Sequence, residues 1–136
     1  MWDYTYDGAG NWPFNAAYAH TFGLDSFVTR LRSLAEVERF IAAGIPVIVS
    51  LSWKLSDMPE ATYETNGHLL VIVGFTEDGD PVLNDPASNS NDNVRSVYTR
   101  ENFEKVWQES TGGVAYIYHP QSTSPPAHLP DVTPNW

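Results

Sequence analysis

Residues 67–76 (GHLLVIVGFT) constrain the fold of this chain more than any other stretch. A run of branched apolar residues bounded by glycine reads as a buried strand, and Glu77-Asp78-Gly79-Asp80 after it supplies an Asp-Gly turn. Residues 81–85 (PVLND) therefore return beside it as the second arm of a hairpin. Residues 46–52 (PVIVSLS) are also β-branched and almost wholly apolar, as expected of a central strand covered on both faces. An antiparallel pair beside a central strand commits the chain to a sheet-based fold.

The remaining elements follow from periodicity and stop signals. Ser33 and Glu36 form a capping box, and Leu34, Val37, Phe40 and Ile41 recur at helical spacing. Gly44 and Pro46 end the element, predicting a helix over 34–43. Residues 26–32 alternate with period two, as a half-buried strand does. Residues 14–22 read as a short helix leaving a turn-rich loop, 94–98 as an edge strand, and 114–119 as a last strand. Thr99 caps a helix over 100–109 that turns Phe103, Val106 and Trp107 inward, and Gly112-Gly113 turns the chain afterwards. Strands joined by a hairpin with helices grouped before and after predict an α+β fold with a mostly antiparallel sheet.

Composition narrows the partners. Seventeen acidic against seven basic residues give a formal charge of −10, a field that repels phosphate backbones and argues against nucleic acid. No stretch approaches the roughly 20 apolar residues of a membrane-spanning helix, and the start has no basic region leading into an apolar run. Nothing visible targets or anchors the chain, and secretion would require a signal upstream of Met1. With no cysteine among 136 residues, disulfides, thiolate metal sites and a cysteine nucleophile are all excluded within this stretch. No cofactor or metal set is apparent; the oxygen-rich 89–93 loop lacks the glycine and distal glutamate of a calcium loop.

His68 and Asp85 are the ionisable residues at the edges of the two hairpin strands. A turn centred on Asp78-Gly79 opposes Thr76 to Pro81 and carries Asp85 toward Val73 and Ile72. His68 then lies about four residues further along, roughly 13 Å at 3.3 Å per residue. A direct contact needs a bulge or a slipped register near Pro81. If it forms, the carboxylate orients the imidazole and leaves its other nitrogen free to take a proton from a nucleophile. Two readings of each residue stand on the residues alone: a hydrogen-bonded strand histidine or a base, and a turn-former before Pro86 or its orienter.

The segments Asn66-Gly67-His68-Leu69-Leu70-Val71-Ile72-Val73-Gly74-Phe75 and Val82-Leu83-Asn84-Asp85-Pro86 resemble the paired signature of papain-like cysteine peptidases of the bacteriocin-processing (double-glycine leader peptidase) type. Asn11-Trp12-Pro13-Phe14-Asn15, Arg30-Leu31-Arg32-Ser33-Leu34 and Ala42-Ala43-Gly44-Ile45-Pro46 are similar to an actinobacterial-like branch of these bacterial hydrolases. The resemblance covers residues 6–119. It implies a papain-like sheet with flanking helices, His68 as general base, Asp85 as its orienter, and a peptide or amide substrate. It also implies that the cysteine and its helix lie upstream of Met1, so that residues 1–119 form a partial peptidase domain followed by a proline-rich tail over 120–136.

Without a thiol the stretch is inactive as a cysteine peptidase. Two alternatives are a pseudoenzyme that binds peptides or cell-wall-like ligands, and a hydrolase using Ser50, Ser52 or Thr65 on the same scaffold. Trp12, Trp53 and Asn66 are candidate substrate contacts, with Tyr4 and Tyr6 as further aromatic residues outside regular elements; core packing is the competing reading for the aromatics. His20 and His119 read as surface or structural. Removal of the cysteine helix is expected to leave an apolar strip on 46–52 and 67–75, predicting self-association or a first segment that covers it.

Overall fold

The computed structural model describes residues 2–136. Its elements run α1 (Trp12–Ala19), β1 (Leu24–Arg30), α2 (Leu34–Ala42), β2 (Val47–Trp53), β3 (Thr65–Phe75), β4 (Pro81–Asn84), β5 (Arg95–Val97), α3 (Arg100–Thr111) and β6 (Val114–Pro120). All strands join one six-stranded sheet in the order β1-β6-β2-β3-β4-β5, and every neighbouring pair is antiparallel. This is the expected α+β architecture, with β5 at an edge as its short polar sequence suggests.

The helix boundaries have local causes. Asn11 caps α1 by accepting from the Phe14 N–H at 3.3 Å, and Pro13 fits the first turn, where no intrahelical donor is needed. A 3₁₀ turn, His20–Phe22, and Gly23 at φ 74° then end it. The capping box of α2 does not close as expected: the Ser33 side chain makes no cap bond. Glu36 instead reaches past Ser33 to accept from the Arg32 N–H at 2.7 Å and Arg32 Nη1 at 2.8 Å. Glu104 of α3 accepts from the Leu34 N–H. A carboxylate from another element, invisible to local pattern, has taken the position of the cap.

Likewise Thr99 begins α3 by its backbone, while its hydroxyl donates to Glu60. The helix runs to Thr111, two residues beyond the expected end, and stops on Gly112 and Gly113 at φ 67° and 76°. A Cβ on Gly113 would lie 1.9 Å from the Leu31 carbonyl oxygen. The backbones meet there through Leu31 N–H donating to Gly113 O at 2.9 Å, so position 113 demands glycine for both space and conformation.

The core lies on one face of the sheet. Val47, Val49 and Leu51 of β2, Leu70 and Ile72 of β3 and Leu83 of β4 are buried against Leu34, Val37 and Phe40 of α2 and Phe103, Val106 and Trp107 of α3. The alternate residues of β2 correct the expectation of a strand covered on both faces: Ile48 and Ser52 are only partly buried. Leu69 opposite Ser50 is 36% exposed. Helix α1 covers the β1–β6 end of this second face with Ala16 and Ala19, leaving the middle open. Residues 120–136 lie against the rest of the chain. Arg39 Nε donates to Ala127 O at 2.6 Å, Asn135 Nδ2 donates to Arg30 O at 2.7 Å, and the Trp136 ring packs 4.9 Å from Phe40.

Candidate active site

His68 sits near the start of β3, opposite Leu51 of β2. The ladder between β3 and β4 pairs Phe75 with Pro81 and Gly74 with Val82, then Ile72 with Leu83 and Val71 with Asn84. The turn register is thus one residue tighter than the sequence suggested, and Val73 is an extra residue that slips it once more. Continuing that ladder by one step brings Asp85 beside Leu70, on the same face as His68 and diagonal to it. Such diagonal neighbours are within reach of long side chains. His68 Nε2 and Asp85 Oδ1 lie 2.7 Å apart. The required shift is made in two steps, one residue at the turn beside Pro81 and one at the Val73 bulge.

Asp85 is 8% exposed and both of its oxygens are engaged. Oδ1 also accepts from the Ala87 N–H at 2.8 Å, the Asx turn expected before Pro86, and Oδ2 accepts from the Tyr63 hydroxyl at 2.6 Å. Burial opposes its charge, but hydrogen bonds from Tyr63, His68 and Ala87 outweigh burial and hold the carboxyl below the usual range. Burial first, and then the bond to Asp85, pushes the Tyr63 phenol well above its ordinary value. Tyr63 therefore stays protonated and remains a donor. An ionised Asp85 accepts a hydrogen bond from Nε2–H and leaves Nδ1 as the lone-pair nitrogen. Among the described residues Nδ1 makes no hydrogen bond.

Aromatic rings fix the imidazole from two sides. Trp53 meets His68 edge-on at 5.8 Å and 72°, and Tyr63 does so at 5.9 Å and 84°. Trp53 Nε1 donates to the Tyr63 carbonyl at 2.6 Å. This corrects the reading of Trp53 as a substrate contact: at 3% exposure it is buried beneath the histidine and cannot meet a ligand. Trp12 and Asn66 do line a cleft of about 610 Å³ with His68, Ser50, Ser52 and Thr111. Tyr6 also borders that cleft, whereas Tyr4, 90% exposed, does not.

Ser50 and Ser52 share the cleft, yet no described hydroxyl is hydrogen-bonded to His68; Thr111 Oγ1 donates instead to the Ser50 carbonyl at 2.6 Å. His119 is structural: it is buried, with Nδ1 3.0 Å from Pro120 O and its ring edge-on to Phe27. Tyr63 is the participant that sequence reading missed. It lies in the polar 54–65 connection, where no periodicity marks an inward side chain, and its spacing to Asp85 is set by the hairpin.

A family model described as the Peptidase_C39 like family matches residues 1–115. Among solved structures, a crystal structure described as a C39-like peptidase from Bacillus anthracis aligns with a TM-score of 0.59 at 20% identity. The alignment covers 86% of this chain and 62% of that one, so this chain spans less than two thirds of its length. At that identity the likeness concerns the fold. No curated protein matches.

Proposed function

Since this chain belongs to the Peptidase_C39 like family, we propose that it carries the base and the orienter of a thiol-dependent peptidase or amidase whose sulfur comes from outside these 136 residues. The observation that carries this reading is the 2.7 Å pairing of His68 Nε2 with Asp85 Oδ1 beside a cleft, with Nδ1 left unbonded. The resemblance of the His68 and Asp85 motifs to the bacteriocin-processing branch supports a peptide as the substrate class we assign.

In this reading Nδ1 of His68 removes the proton of a thiol delivered into the cleft, and the thiolate adds to the substrate carbonyl carbon. The imidazolium, stabilised by Asp85, returns that proton to the departing amine, leaving an acyl thioester. A water molecule, deprotonated by the same nitrogen, then releases the acid and the thiol. Asp85 acts by holding the ring and its tautomer; it is not itself protonated in the cycle. Trp12 and Asn66 border the space a peptide would occupy.

The test is a longer chain that includes whatever precedes Met1 in its gene. A thiol-directed inhibitor should label it, it should cleave a peptide library, and His68→Ala should abolish both activities. A longer chain with a cysteine that takes no label and cleaves nothing would remove the proposal.

The lack of cysteine favours one second reading, a cleft that binds peptides or cell-wall-like ligands without chemistry. It gains if the native protein begins at Met1 by intact mass and binds such ligands. Labelling by a fluorophosphonate would point instead to a serine or threonine nucleophile.

A further inference from the structure

We propose that Tyr63 is a positioning residue of this site, holding Asp85 in the rotamer and ionisation state that dictate the tautomer of His68. The inference rests on the reading of His68 and Asp85 as base and orienter. It concerns a residue outside both motifs.

The argument begins with the carboxylate. Oδ1 is shared between His68 Nε2 and the Ala87 N–H, so both of these bonds pull on one oxygen. Rotation about the last side-chain torsion of an aspartate is soft. A second anchor on Oδ2 is needed to stop the carboxylate from swinging away, and the Tyr63 hydroxyl supplies it at 2.6 Å. The same tyrosine presents its ring edge to the imidazole at 5.9 Å. One side chain thus fixes both members of the pair.

Tyr63 also separates two spaces. His68 faces the cleft, whereas Tyr63 and Asp85 line a second pocket of about 540 Å³ together with Glu60, Ser88, Ser96 and Tyr98. Without the phenol oxygen, Oδ2 would face that pocket. Water entering there would compete for the carboxylate and weaken its hold on Nε2, because a bond to a charged acceptor is strongest in a dry setting. Tyr63 itself is held from β2, where Trp53 donates to its carbonyl and packs against its ring at 5.2 Å. Position is passed from Trp53 to Tyr63, and from Tyr63 to Asp85 and His68.

The experiment is nuclear magnetic resonance of the histidine ring nitrogens in this same 136-residue chain, which requires no activity. The unsubstituted protein should show neutral His68 carrying its proton at Nε2, with a slowly exchanging ring proton. Tyr63→Phe keeps the ring and removes the bond; exchange of that proton should speed up by about tenfold or more, with the other tautomer becoming detectable, as loss of a charge-assisted bond implies. Tyr98→Phe, a substitution in the same pocket at a residue with no hydrogen bond to Asp85, should leave the signal unchanged. Asp85→Asn should abolish the Nε2–H preference.

An unchanged ring proton in Tyr63→Phe, with Asp85→Asn still altering it, would overturn the role of Tyr63 and leave the pair intact. An unchanged signal in Asp85→Asn would instead sink the pair itself. If Tyr63→Phe does not fold, the unsubstituted protein decides: a slowly exchanging Tyr63 hydroxyl proton supports the role, and one in fast exchange with water overturns it. In the longer, thiol-bearing chain, Tyr63→Phe should lower kcat by about tenfold with KM unchanged, since Tyr63 does not line the cleft.

Discussion

His68 and Asp85 meet at 2.7 Å because Val73, an extra residue in β3, slips the β3–β4 ladder and carries Asp85 alongside Leu70. The pairing ties the ionisation of Asp85 to the folded state. Its carboxyl is held below the usual range, so its contribution to stability is full above the ordinary carboxylate value and is lost as pH falls through the lowered folded value. Asp85→Asn should cost about 1–3 kcal/mol at pH 5. The gap between the two proteins in urea unfolding should close as pH falls below about 4. A gap that stays constant down to the acid transition would contradict this.

Gly113 and Gly23 share a positive φ but differ in surroundings. At 113 an added Cβ meets the Leu31 carbonyl at 1.9 Å; at 23 nothing lies within 4 Å. Gly23→Ala should cost about 1–2 kcal/mol from conformation alone. Gly113→Ala must also push two backbones apart and should cost distinctly more, lowering the thermal midpoint further or preventing folding. Equal losses in a calorimetric scan would show that the close approach is absent.

Trp53 supports the site from below. Trp53→Phe keeps an aromatic ring under His68 but removes the donor to Tyr63 O, a loss of about 1 kcal/mol. Trp53→Ala opens a cavity and should cost about 3–5 kcal/mol. Chemical unfolding separates the two, and a neutral Trp53→Ala would mean that the indole is not packed as described.

The 120–136 segment is bound through Arg39, Asn135 and Trp136. Trp136→Ala should destabilise the protein by about 1–3 kcal/mol through apolar area returned to water. Limited proteolysis should then cut within this segment before the rest of the chain. Unchanged cleavage order would argue that Trp136 does not pin it.

Leu69 and Ile48 remain on the open face of the sheet beside α1. This surface should drive self-association at high concentration and bind an apolar dye. Leu69→Lys should reduce both, as read by sedimentation and fluorescence. A monodisperse protein without dye binding would remove the expectation.

The sheet and its strand neighbours were legible because β-branched runs, the Asp78-Gly79 turn and the Gly112-Gly113 stop are local signals, each readable within a few residues. Local capping predictions fared worse: Glu104 and Asp80 arrive from other elements to accept from the first N–H groups of α2 and α3, where Ser33 and Thr99 were expected to cap, and Glu60 engages the Thr99 hydroxyl. The site was half legible. His68 and Asp85 announced themselves by type and by motif, whereas Tyr63 in a polar connection carried no mark, and Trp53 was read as a substrate contact and not as a ring packed under His68.

By itself the sequence determined the order of the elements, the acidic net charge, the absence of cysteine and the identity of the base and carboxylate candidates. Tertiary structure alone decided that the two meet, that Tyr63 holds the far carboxylate oxygen, and that Trp53 lies beneath the ring instead of in the cleft. The physical reason is register. In a pleated strand a one-residue slip sends every side chain to the other face, and the bulge at Val73 that sets this slip depends on how a whole sheet packs.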